Sequence, residues 1–130
     1  MKILFDTHAF VWWDLTPENL PAKILAACKD PTNTLLLSVA SIWEMQIKLH
    51  SGKLKLDAPL LETIRSQQQT NHVEVLPITL EHVLALDTLP DHHKDPFDRL
   101  LVAQTIVEGA TLLSHDPLVQ KYPAPVIWQK

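Results

Sequence analysis

A lone cysteine, Cys28, leaves no partner for an intrachain disulfide. It falls in an apolar run with helical spacing, which reads as a buried, inert thiol. Two glycines against ten prolines exclude a flexible or low-complexity chain. No stretch reaches the ~20 consecutive apolar residues of a membrane span. The opening apolar run meets an acid at Asp6, too early for a secretory signal, so the cytoplasm is expected. Basic residues are also scarce: 11 Lys and Arg stand against 15 Asp and Glu, for a net charge of −4. That balance lacks the electrostatic footprint of a nucleic-acid binder, so an anionic substrate would need local basic residues or bound cations. What is present is 46% hydrophobic and 20% charged over 130 residues, as expected for one folded domain spanning 1–130.

The clearest local signal runs from His92 to Gln104. Asp95 is suited to cap a helix, and Pro96 follows at the first helical position, where its missing N–H is not needed. Phe97, Leu100, Leu101, Ala103 and Val107 form a broad apolar face, and Gly109 closes the helix at 96–108. Short, continuous apolar runs at 2–5, 34–39 and 111–114 read as buried strands, and 73–78 as a third strand in chain order. Pro77 places that strand at or near an edge. A last short strand is expected at 125–128. Helices are expected at 9–15, 21–29, 42–50, 59–69 and 80–89, with a helical turn at 117–122. The helix at 42–50 is predicted from a capping-box pattern, Ser41-x-x-Glu44. In the helix at 80–89, Val83, Leu84 and Leu86 should face inward. Strands alternating with helices imply an α/β domain with a largely parallel sheet.

In open α/β sheets, ligands bind beyond the carboxyl ends of the strands. Asp6 and Asp116 each follow a strand there. Glu44 begins the helix leaving the second strand, and Asp98 begins a helix that runs antiparallel to the strands, so it starts at the same edge. Each acid alone also has a structural role open to it, as a cap or a dipole partner. Four together repel one another unless cations hold them. Oxygen donors without cysteine or a histidine pair select Mg²⁺ or Mn²⁺. Thr7 and Ser114 add hydroxyls beside Asp6 and Asp116. No zinc-type spacing exists, so His92, His93 and His115 read as loop residues. Lys48, Lys53, Lys55 and Arg99 are candidate phosphate contacts.

Leu4-Phe5-Asp6-Thr7-His8, Ser41-Ile42-Trp43-Glu44 with Ile47-Lys48 and Gly52-Lys53, His93 to Gln104 around Asp95-Pro96-Phe97-Asp98-Arg99, and Leu113-Ser114-His115-Asp116 resemble the successive motifs of PIN-domain ribonucleases, and within them the VapC-type toxins of bacterial toxin–antitoxin pairs. The resemblance runs from Ile3 to Trp128. It implies a three-layer α/β/α fold around a mostly parallel sheet of four to five strands. It places the four acidic metal-site positions on Asp6, Glu44, Asp98 and Asp116, with Asp95 as a further acid and Ser114 where threonine is frequent. It further implies a Mg²⁺- or Mn²⁺-dependent endoribonuclease, an RNA substrate, a homodimer and a cognate antitoxin.

A receiver domain would need a different acid pattern, and a haloacid-dehalogenase-like phosphatase would need Asp where His8 stands. The alternative from another class is a non-catalytic PIN-fold protein that binds a partner; such a protein could lose its acids, and this chain keeps them. Trp12, Trp13 and Leu25 give the early helices more apolar surface than one sheet face needs, which predicts the dimer and a groove for an antitoxin segment.

Overall fold

The computed structural model describes residues 1–128. Five strands, β1 (Lys2–Phe5), β2 (Thr34–Ser38), β3 (Glu74–Leu76), β4 (Thr111–Leu113) and β5 (Val126–Ile127), form one sheet in the order β3-β2-β1-β4-β5. Every neighbouring pair is parallel. Six α-helices connect them: α1 (Thr7–Leu15), α2 (Ala22–Lys29), α3 (Val39–His50), α4 (Leu60–Thr70), α5 (Leu80–Ala85) and α6 (Pro96–Glu108).

The strands read as unbroken apolar runs because both sheet faces are covered. Alternate residues enter two separate cores. Ile3, Phe5, Leu35, Leu37 and Leu113 pack with Phe10, Trp13, Ile24, Cys28 and Met45 on one face. Leu4, Leu36 and Leu112 pack with Ala40, Leu89, Leu101 and Val102 on the other. Helices on both faces of the sheet make the expected three layers. As Pro77 foretold, β3 lies at an edge. No helix among the described residues is long and apolar enough to cross a membrane.

Helix α6 has the expected bounds. The Asp95 carboxylate accepts from the Phe97 N–H at 2.9 Å, and Gly109 closes the helix at φ 63°, a left-handed conformation that glycine adopts without strain. Other boundaries shift for identifiable reasons. Helix α1 starts at Thr7 because Asp6 caps it, accepting from the Ala9 N–H at 2.7 Å. Helix α3 starts at Val39 rather than Ile42, because Ser38 caps it with its Oγ on the Ala40 N–H. The predicted capping box at Ser41 and Glu44 does not form: Ser41 lies within the helix and its buried Oγ has no partner.

The segment 80–89 is also corrected. Helix α5 ends at Ala85, and a 3-10 turn covers Leu86–Thr88. Val83 and Leu84 are exposed, at 47% and 62%; Leu86 packs against the second core as expected, and the fully buried residue of α5 is His82. Its imidazole takes the place a leucine would fill because each of its nitrogens has a partner. Nδ1 accepts from the Thr79 N–H at 3.0 Å, and Nε2 lies 2.7 Å from the Glu108 carboxylate.

Candidate active site

Because β1 is central and β4 lies beside it, the loops after these two strands open onto one crevice, of about 450 Å³. Asp6, Thr7, Glu44, Lys48, Asp95, Asp98 and Asp116 line it, together with His8, Trp12, His115 and Trp128. All four acids singled out from the sequence therefore meet. Asp6 comes from the end of β1, Asp98 from the first turn of α6, and Asp116 from the loop after β4. Glu44 comes from the second turn of α3, one turn later than expected.

Each acid is held by specific partners. The Thr7 hydroxyl donates to Glu44 Oε1 at 2.6 Å, and Lys48 Nζ, one helical turn on, lies 2.9 Å from Oε2. Asp6 is buried, and this desolvation raises its carboxyl above the ordinary range, against the Ala9 N–H and the Ser114 hydroxyl, which favour the charged form. Asp98 is pushed up to about 7, first by burial and then by the negative charges of Asp95 and Asp6. Asp116 loses some solvation too. The Leu118 N–H and His93 outweigh that loss and hold its carboxyl below the usual value.

His93, read from the sequence as a loop residue, sits among these acids. Its Nε2 lies 3.0 Å from Asp98 Oδ2 and 2.9 Å from Asp116 Oδ2. Its Nδ1 accepts from the Asp95 N–H at 3.1 Å, which leaves the proton on Nε2, aimed at the two carboxylates. The ring is placed by Tyr122, whose hydroxyl oxygen accepts from the His93 backbone N–H at 2.9 Å. The sequence carries no periodic signal for either residue; only the juxtaposition of loop and strand end reveals them.

Arg99 is engaged elsewhere than its expected phosphate contact. Its guanidinium donates to the Pro90 carbonyl and the Tyr122 hydroxyl oxygen, both at 3.0 Å, so it ties down the loop before α6. Nor do Lys53 and Lys55 line the crevice. Trp13 and Leu25, expected to be surplus surface, belong to the core or pack against it. Exposed apolar residues lie instead on α3, with Trp43 and Ile47, and on α5, with Leu80 and Leu84, and others are scattered singly, such as Leu61 on α4 and Ile106 on α6.

His93, Asp98 and Asp116 each bring a ligand atom within 4.8 Å of the others. The crevice donors are mainly carboxylate oxygens, the set a hard divalent cation takes. The raised Asp98 carboxyl fits the same reading, since a group crowded by Asp95 and Asp6 holds a proton that a cation would displace.

The PIN domain family profile matches residues 3–124. This chain belongs to the PIN domain family. The chain is 28% identical to Ribonuclease VapC22 of Mycobacterium tuberculosis, over 97% of this chain and 98% of that protein. Its fold is shared with VapBC2 from Rickettsia felis, solved bound to a DNA fragment from its promoter, at a TM-score of 0.73 and 16% identity over 99% and 100% of the two chains. It is shared also with VapBC-1 from nontypeable Haemophilus influenzae, at a TM-score of 0.61 and 17% identity over 98% and 97%.

Proposed function

We propose that this PIN-domain chain is a divalent-metal-dependent endoribonuclease, the cytoplasmic toxin of a toxin–antitoxin pair. The observation that carries this reading is the meeting of Asp6, Glu44, Asp98 and Asp116 in one crevice at the carboxyl end of the sheet. The full-length likeness to a VapC ribonuclease and the fold shared with VapBC proteins support it. In this reading the partners are RNA, a cognate antitoxin and a second copy of the chain.

Asp6, Asp98 and Asp116 would hold Mg²⁺ or Mn²⁺, with Glu44 completing the acidic set. The cation supplies Lewis-acid stabilisation of charge on the phosphoryl oxygens and offsets the negative crevice for a polyanion. Thr7 fixes the Glu44 carboxylate in one orientation, and Ser114 supports Asp6. Lys48 Nζ, half exposed beside Glu44, is the basic group at the crevice suited to meet a phosphate. His93 holds a proton between Asp98 and Asp116 and keeps the pair together without the cation. Asp95 sets the start of α6, and so the position of Asp98.

The test is cleavage by protein purified free of antitoxin. RNA should be cut in Mn²⁺ or Mg²⁺, chelator should stop the reaction, and Asp6→Asn and Asp98→Asn should abolish it. Cleavage that persists in both variants would identify a contaminating nuclease. Antitoxin binding without any metal-dependent cleavage would make the chain a partner-binding module instead.

A further inference from the structure

Alongside the carboxylates, the same crevice is lined by four rings that the chemistry above does not use. His8 and Trp12, one turn apart on α1, meet edge to face at 5.0 Å between centroids. Trp12 lies 5.6 Å from Trp128, which follows β5, and Trp128 lies 5.4 Å from His115, which follows β4. Three separate segments of chain thus build one continuous aromatic wall. Both tryptophans are half buried with their inner parts packed against the core, while His8 and His115 are exposed. The core does not need these rings at its edge, for Phe5, Phe10 and Trp13 already pack together inside it.

We propose that this wall is a nucleobase subsite, receiving an unpaired base next to the phosphodiester that the carboxylates address. The inference rests on the ribonuclease reading and adds what determines its substrate form. A phosphate brought among Asp6, Asp98 and Asp116 carries its neighbouring bases into the same crevice, where Trp12 and Trp128 offer flat, neutral surfaces. In a closed A-form helix the bases are stacked on one another and turned away from side chains, whereas loops and single strands can splay a base onto an aromatic ring. Stacking of this kind accepts any base, because every base has a π face. It also needs no cation, which matters in a chain of net charge −4, whose own field gives a polyanion little attraction. The wall therefore selects for accessible bases rather than for a sequence.

The test measures binding apart from cleavage. A fluorescein-labelled decanucleotide of 2′-O-methyl RNA, which resists hydrolysis, is titrated with the full chain in chelator and followed by anisotropy. The single strand should bind, and the same strand in a duplex should bind much more weakly. An abasic nucleotide walked along the strand should weaken binding roughly 5- to 150-fold at one position, the span of one base–aromatic stack, whereas purine-to-pyrimidine exchange there should change it less. Trp128→Leu and Trp12→Leu should give a similar loss, with thermal melts confirming that each variant folds; the abasic series needs no variant. Equal binding of strand and duplex, or no penalty at any abasic position, would overturn the proposal. So would tryptophan variants that keep RNA binding but lose the antitoxin, which would make the wall a protein-docking surface. If the strand binds through the wall but the protein cuts no RNA in Mn²⁺, the subsite stands and the nuclease reading falls.

Discussion

His93 and Asp98 lie 3.0 Å apart, and the proton between them stands where a cation would neutralise the same carboxylate. Replacing His93 with alanine removes the donor shared by Asp98 and Asp116. The folded chain in chelator should lose about 1.5–2 kcal/mol, the lower part of the range for hydrogen bonds to charged groups, because the cluster is partly open to solvent. Saturating Mn²⁺ should recover most of that loss, since the ion holds the two acids in place of the ring. Thermal melts of wild type and His93→Ala, with chelator and with Mn²⁺, check both halves; an equal deficit in both conditions would make His93 a purely structural residue.

Neutralising Asp98 should act in the opposite sense. Its carboxyl is crowded by Asp95 and Asp6, so Asp98→Asn relieves repulsion and should leave the melting temperature in chelator at about pH 8 unchanged or raised. Wild type should gain stability from Mn²⁺ by roughly 2.7 kcal/mol at a hundredfold excess over Kd, and the variant should not. A variant that melts lower in chelator and still responds to Mn²⁺ would remove Asp98 from the metal site.

The pH dependence follows from the same residue. Folding raises the Asp98 carboxyl from its ordinary 3.8 to about 7, so between those values the folded chain binds a proton that the unfolded chain has released. The stability this group contributes is complete below the ordinary carboxylate range and is lost as pH rises through about 7. Asp116, held low, works in the reverse direction and only in acid. Going from about pH 8 to about pH 5 in chelator, wild type should therefore gain stability relative to Asp98→Asn. Affinity for Mn²⁺ should fall over the same interval, because the ion must displace the proton. Melts and metal titrations across that interval read both slopes.

Thr7 makes a sharper case for orientation. Thr7→Val keeps the shape but leaves the nearly buried Glu44 Oε1 without its 2.6 Å donor, which should destabilise the chain by about 1–3 kcal/mol. RNA cleavage should drop at least tenfold, as Glu44 turns toward Lys48, and Thr7→Ser should restore it. Equal activity of the valine and serine variants would show that Glu44 needs no fixed orientation.

Assembly should depend on α3 rather than on the early helices. Trp43 rests edge-on against Phe97 at 5.2 Å and still leaves 58% of its surface exposed, with Ile47 one turn away. Sedimentation at micromolar concentration should give a dimer for wild type and a monomer for Ile47→Glu. A monomeric wild type would remove the second copy from the proposal.

Much of this architecture was legible because it is local. The runs Ile3-Leu4-Phe5 and Leu35-Leu36-Leu37 announce strands covered on both faces, and Asp95-Pro96 with Gly109 marks both ends of α6 through cap chemistry alone. The meeting of the four acids followed from one rule about parallel sheets and needed no distances. What stayed hidden depends on partners distant in sequence. His82 is inward only because Glu108 and the Thr79 N–H satisfy both ring nitrogens, so a hydrophobic pattern points to Val83 and Leu84 instead. Ser41 and Glu44 match a capping box, yet the helix had already begun at Val39, capped by Ser38. His93 and Tyr122 lie in loops without periodicity, and Trp12 and Trp128, at opposite ends of the chain, meet only once the sheet is complete.

Strand β1 lies at the centre of the sheet, and its end is tied to β4, far along the sequence: the Asp6 backbone N–H donates to the Leu113 carbonyl at 3.0 Å. During translation, Asp6 and Glu44 leave the ribosome well before Asp98 and Asp116. A nascent chain short of β4 lacks both Asp116 and the strand that ties down the end of β1, whatever else of it has folded. Under the proposed function, the four acids come together only once β4 has been made, and a truncation that removes Asp116 should leave a chain that does not cut RNA.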